Sequence, residues 1–172
     1  NILDYITIST PGNASDFGDL TVARTALFAC SSSTRGVFGG GSGPLNTMDY
    51  ITIATTGDAT DFGDLSAARY GSGGCSSSTR GVFGGGNIST YTKVSDYITI
   101  ATTGDATSFG NLTLARRYVS ACSSSTRGVF GGGYAATNVI DYITIATTGD
   151  ATDFGDLTVA RSQLAACSSS TR

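Results

Sequence analysis

The sequence predicts an all-β fold assembled from repeated, four-stranded antiparallel blades, and three observations predict it. The phrase DYITI starts at Asp4, Asp49, Asp96 and Asp141, while CSSSTR starts at Cys30, Cys75, Cys122 and Cys167. Both series are spaced 45, 47 and 45 residues, so the two phrases belong to one repeating unit. Second, all thirteen acidic residues are Asp and none is Glu. Helices use Glu freely, whereas Asp favours turns. Third, twenty-four glycines stand against two prolines, which points to tight turns and close backbone approach rather than extended linkers.

Each unit carries four strand candidates in order. The first runs into the Cys-Ser-Ser-Ser turn. The second is the apolar pair Val37-Phe38, repeated as Val82-Phe83 and Val129-Phe130 and ended by three glycines. The third is DYITIAT, in which Ile51 and Ile53 face one way and Tyr50 and Thr52 the other. The fourth surrounds Phe62-Gly63-Asp64-Leu65, after a turn-rich Thr-Gly-Asp stretch. Four short strands in about 45 residues is the period of a β-propeller blade. A β-solenoid is the alternative, although its coils are shorter.

The order of features resembles the kelch repeat. Arg69, Val82-Phe83-Gly84-Gly85, Asp96-Tyr97, Phe109 and Leu112 carry that likeness in one stretch. The resemblance implies kelch-like propeller blades over the whole chain. It departs from the family at Phe17, Phe62, Phe109 and Phe154, where the family has tryptophan. The wording TTGDATDFGDLTVAR…STRGVFGGG is also similar to repeats in tail-fibre and other virion proteins of marine phages and environmental viruses. The expected division is one array over 1–172: a partial blade at 1–20, blades at 21–65, 66–112 and 113–157, and a partial blade at 158–172. An array that opens on a third strand and closes after a first suggests a segment of a longer propeller, or one completed by other copies or another chain.

Composition narrows the chemistry. A net charge of −3 without a basic run gives no phosphate-binding stripe, so no nucleic acid is expected. No apolar stretch is long enough for a transmembrane helix, so no membrane insertion is expected. The chain contains no histidine, which removes Ser-His-Asp and Cys-His arrangements and the anchor for copper. GVFGGG lacks the lysine of a phosphate-cradling loop.

Cys30, Cys75, Cys122 and Cys167 occupy equivalent positions about 10 Å apart in stacked sheets, too far for disulfides. They are expected as buried thiols between blades. Asp58, Asp61 and Asp64 could suggest calcium, but their third-copy equivalents are Asp105, Ser108 and Asn111. Turn capping accounts for that series better than a cation cage. The recurring Arg69 and Arg80 are expected in structural ion pairs and turn ties. No cofactor, no metal and no enzyme activity are expected.

The copies agree almost word for word except in two places. One is the pentapeptide after Ala-Arg, at 25–29, 70–74, 117–121 and 162–166. The other follows the glycines, at 42–48, 87–95 and 134–140. In an up-and-down blade both fall on one face, and the CSSSTR and TTGDAT turns fall on the other. The variable segments hold four of the eight tyrosines, no carboxylate, and a charge of +2 against −5 for the rest. Tyrosine with Ser, Gly and Asn is the palette of recognition surfaces, and glycoside hydrolysis would need paired carboxylates.

The candidate ligand-binding residues are therefore Leu27, Phe28, Asn46, Tyr70, Asn87, Tyr91, Lys93, Arg117, Tyr118, Tyr134, Asn138 and Gln163. The expected function is a binding or adhesion module on a virion surface or extracellular appendage, recognising a surface glycan or protein receptor. The alternative is a purely structural spacer or assembly part of such a particle. Neutral drift in exposed loops would also produce variable segments, but drift should touch both faces.

Overall fold

The computed structural model describes residues 1–134 and 137–169. Among the described residues there are fourteen strands and no helix. β1 (Ile2–Tyr5) and β2 (Ser15–Asp19) form a two-stranded antiparallel pair. Three four-stranded antiparallel sheets follow, each in simple meander order, and none closes on itself. The first contains β3 (Phe28–Ser31), β4 (Arg35–Gly39), β5 (Thr47–Thr52) and β6 (Thr60–Asp64). The second contains β7 (Gly73–Ser76), β8 (Arg80–Gly84), β9 (Val94–Thr99) and β10 (Thr107–Asn111). The third contains β11 (Ser120–Ser123), β12 (Arg127–Gly131), β13 (Val139–Thr144) and β14 (Thr152–Asp156).

The hydrophobic layers lie between sheets, which explains the Val-Phe pair. Adjacent strand residues point to opposite faces, so Val82 and Phe83 enter different layers. The layer between the first two sheets takes Phe28, Cys30, Val37, Phe62 and Leu65 from one side, and Phe83, Ile98 and Ile100 from the other. The next takes Cys75, Val82, Phe109, Leu112 and Val119 against Phe130, Ile143 and Ile145. The second sheet therefore buries both faces, and its apolar pair serves two cores at once.

A β-bulge shapes every outer strand. Met48 faces Gly63 and Asp49 faces Asp61, so Phe62 is the extra residue. The same shift recurs in the other two sheets and in the two-stranded pair. A bulge re-aims its side chain, and here it directs the Phe62 ring into the core, edge-on to Tyr50 at 6.0 Å.

Successive sheets are stitched by backbone. The loop after β9 reaches the outer strand of the preceding sheet, where Gly104 N–H donates to the Phe62 carbonyl at 2.7 Å and Ala106 N–H to that of Asp64 at 2.8 Å. A Cβ on Gly63 would stand 2.5 Å from the Gly104 carbonyl carbon, so glycine is required for this approach. The carboxylates of Asp58, Asp105 and Asp150 accept the backbone N–H of Asp19, Asp64 and Asn111 at 2.9–3.0 Å. They cap a neighbouring sheet's edge, not their own turn as the sequence suggested. A local reading could not find them, because each partner lies about forty residues away.

Two arginine series divide the remaining work. Arg24, Arg69 and Arg116 form fully buried ion pairs with Asp49, Asp96 and Asp141 at 2.7–2.8 Å. Burial pulls the Arg69 guanidinium below its ordinary range, and the Asp96 charge opposes that. Ser66 Oγ also donates to Asp96, at 2.7 Å, leaving the carboxylate well satisfied. Arg80, expected in an ion pair or turn tie, makes a turn tie: it covers the Tyr97 ring at 4.4 Å and donates to the carbonyls of Ile145 and Ala146 in the β13–β14 turn of the next sheet. Cys30 and Cys75 are buried thiols, and Cys30 is pushed up to about 12 by desolvation. Cβ atoms placed on Gly81 and Gly128 would strike their sulfurs, so the thiols do fill the space between sheets. Cys122 is half-buried and Cys167 exposed.

Candidate binding site at the variable loops

Meander order places the β4–β5 and β6–β7 connections at one end of the sheets, and the β3–β4 and β5–β6 turns at the other. At the turn end, the first two serines of the turns are taken up by repeated bonds. Ser76 Oγ donates to the Ser31 carbonyl, Ser123 Oγ to that of Ser76 and Ser168 Oγ to that of Ser123, each at 2.8 Å. Ser32, Ser77 and Ser124 each accept a backbone N–H within their own turn. Together the turns line a polar cup of about 450 Å³.

The loop end is built differently. Tyr70 and Tyr91 both pair through their backbones with Asn87, which draws two variable segments together. Tyr118 N–H donates to the Gly71 carbonyl at 2.6 Å, and Tyr134 N–H to that of Arg117 at 2.7 Å. These bonds gather four aromatic rings around one guanidinium. The Arg117 Cζ stands 4.4 Å from the ring centroid of Tyr134, 5.1 Å from Tyr118, 5.4 Å from Tyr91 and 5.7 Å from Tyr70. Its Nη1 donates to the Tyr70 hydroxyl at 2.7 Å. The rings also pair among themselves, Tyr70 with Tyr118 at 6.2 Å and Tyr91 edge-on to Tyr134 at 5.8 Å.

Local backbone geometry fixes the arrangement. Tyr118 has φ +53°, a left-handed conformation that Ala26 and Gln163 share at the equivalent positions of their units. The second unit uses Gly71 there. A side chain at Gly71 would meet the Tyr118 ring at 3.0 Å, so that glycine also makes room for its neighbour's aromatic group. No local signal marks Gly71, because its role depends on a ring 47 residues further on.

Electrostatically, Arg117 differs from the arginine beside it. Arg116 is paired with Asp141, whereas among the described residues Arg117 has no carboxylate within ion-pair distance, and its Nε lacks a hydrogen-bond partner. Desolvation opposes its charge, but Tyr70, Tyr91 and Tyr118 outweigh it and hold the guanidinium above its ordinary range. The result is a fixed cation in an aromatic setting, with N–H donors still available.

Of the residues singled out from sequence, the structure brings Tyr70, Tyr91, Arg117, Tyr118 and Tyr134 into one cluster, with Asn87 beneath them. Asn87 is itself 7% exposed, and its side chain accepts the Ser89 N–H, so it supports the surface without forming it. Phe28 is a correction: it is 5% exposed and packs its ring 5.1 Å from Phe83 inside the core. It lies on the inward side of β3, so variation between copies at this position does not mark exposure. The rings and hydrogen bonds of the cluster do not involve Leu27, Asn46, Lys93, Asn138 or Gln163. Lys93 and Gln163 are exposed, and Leu27, Asn46 and Asn138 are half-buried. Compared with known protein families the chain matches no family model, and it matches no curated protein.

Proposed function

We propose that the chain is a run of kelch-like β-propeller blades forming a non-enzymatic binding or adhesion module. Its place is a virion surface or extracellular appendage, and its partner is a surface glycan or protein met by the variable loop face. The propeller reading is supported by the stacking of successive meander sheets across shared apolar layers. It is also supported by the adjacency of their first strands, β3, β7 and β11. One observation carries the binding reading. Four tyrosines from four separate variable segments converge on one arginine, although nothing in the repeated frame requires any of them. Tyrosine supplies large amphipathic contact area at small entropic cost.

The test is a Tyr70→Ala, Tyr91→Ala, Tyr118→Ala triple variant, read by binding to a glycan array and by attachment to cells. Binding is expected to fall to background while the melting temperature and far-ultraviolet spectrum stay near those of the parent. A folded variant that still attaches fully overturns the ligand-face reading.

A further inference from the structure

We infer that the Arg117 cluster selects an acidic sugar: a pyranose ring bearing a carboxylate, seated with its carboxylate on the guanidinium and its ring against tyrosine. This rests on the reading of the loop end as a ligand surface, and adds the class of ligand. Four observations point to an anion on a ring.

The first is the missing counter-ion. Arg24, Arg69 and Arg116 each hold an aspartate, and the half-buried Arg35 and Arg80, which lie over Tyr50 and Tyr97, donate to backbone carbonyls of a turn in a neighbouring sheet. Arg117 has neither a carboxylate nor a carbonyl: among the described residues its guanidinium donates to the Tyr70 hydroxyl and is otherwise surrounded by tyrosine rings, with Nε left without a partner. A cation taken partly out of water and given no anion is poised to accept one, since charge-assisted bonds to a carboxylate are the strongest it can form.

The second is the surrounding charge. The variable segments contain Arg117 and Lys93 and no carboxylate, in a chain whose remainder is net negative. An approaching anion therefore meets repulsion over most of the surface and attraction at this end.

The third is geometry. The donors of Arg117 are directed by its bond to the Tyr70 hydroxyl, so the guanidinium is held and does not need to be ordered on binding. The fourth is the rim. Tyr91 and Tyr134 remain 39% and 45% exposed and flank the cation. Their rings can take the C–H face of a sugar while Arg117 takes its charged group. An acidic peptide would satisfy the charge but would leave both exposed rings without a planar apolar counterpart.

The experiment is an array carrying uronate- and sialate-terminated glycans beside the methyl esters of the same glycans, with a poly-glutamate peptide as a further arm. The parent chain is expected to bind one or more acids at least about tenfold more tightly than the matching esters, and more tightly than the peptide. Arg117→Ala should erase the difference between acid and ester, and Arg117→Gln, which keeps a polar side chain of similar reach, should do the same. Both variants should melt with the parent, because the residue they alter has no ion-pair partner to strand. Equal binding of acids and esters overturns the inference. If Tyr91→Ala abolishes both, the ligand face itself stands. Tighter binding of poly-glutamate overturns the sugar assignment, and absence of binding to any acidic glycan overturns the whole inference.

Discussion

The junction between the first two four-stranded sheets and the junction between the second and third share one frame. In both, a buried arginine-aspartate pair closes the loop end and an outer-strand glycine admits the neighbouring loop. Even the loop backbones agree. Gly71 N–H donates to Ala26 at the first junction, and Tyr118 N–H donates to Gly71 at the second. Side chains then part company. The first junction has Thr25 and Ala26 where the second has Tyr70 and Gly71, and Tyr70 and Gly71 where the second has Arg117 and Tyr118. With the backbone held constant, a few substitutions convert a plain junction into an aromatic cluster around a cation. Stability belongs to the frame, and the identity of the site belongs to its decoration.

The comparison breaks most severely if the frame is cut. Asp96→Ala leaves the fully buried Arg69 guanidinium without its anion, a loss of about 3–5 kcal/mol when one partner of a buried pair is removed. The expected outcome is a large drop in the denaturant midpoint. Aromatic binding should be lost only through unfolding, so that residual folded protein keeps its ligand preference. A variant that melts with the parent would show that the pair contributes little.

A smaller change sharpens the role of close approach. Gly63 and Gly155 have nearly the same backbone, φ +133° and +135°, but a Cβ on Gly63 meets the Gly104 carbonyl at 2.5 Å and one on Gly155 meets nothing. Both Gly→Ala variants bear the strain of the conformation, about 1–3 kcal/mol. Only Gly63→Ala adds the collision with the next sheet's loop. Thermal melting should therefore rank Gly63→Ala clearly below Gly155→Ala. Equal losses would mean that the inter-sheet stitch yields freely.

Much of the frame was legible in the sequence because its signals are local. The alternation in DYITI, the Val-Phe pair and the glycine runs placed the strands, and the recurring Arg69 with a recurring aspartate foretold an ion pair. Features that depend on the neighbouring sheet were not legible. Arg80 ties a turn as its recurrence suggested, yet that turn belongs to the next unit and no local signal points to it. Asp105 looked like a turn cap, yet it caps a strand of the previous unit. Phe28 was misplaced because variation between copies was equated with exposure, while strand alternation turns that position inward. For the cluster, composition pointed to the tyrosine-bearing segments as a set. Spacing alone does not say which junction collects them, and so could not reveal that all four meet at Arg117.

Tyr118→Gly has the smallest expected effect on stability and separates frame from decoration most directly. Tyr118 occupies a left-handed conformation at φ +53°, in which a residue with a Cβ is disfavoured by about 1–2 kcal/mol and glycine is not. Replacing it relieves that strain while removing the ring that packs on Tyr70 and covers Arg117. An aromatic pair contributes about 0.5–1.5 kcal/mol beyond its buried area, which the relieved strain offsets, so the net loss is the burial of one half-exposed ring. The melting temperature should fall only slightly. The second unit already carries Gly71 at this position, so the backbone accepts the change. Ligand binding should nonetheless fall markedly, because one wall around the cation is gone. A variant that keeps both its stability and its binding would place Tyr118 outside the site. One that loses stability sharply would make the tyrosine part of the frame, and the two junctions would then differ in structure as well as in recognition.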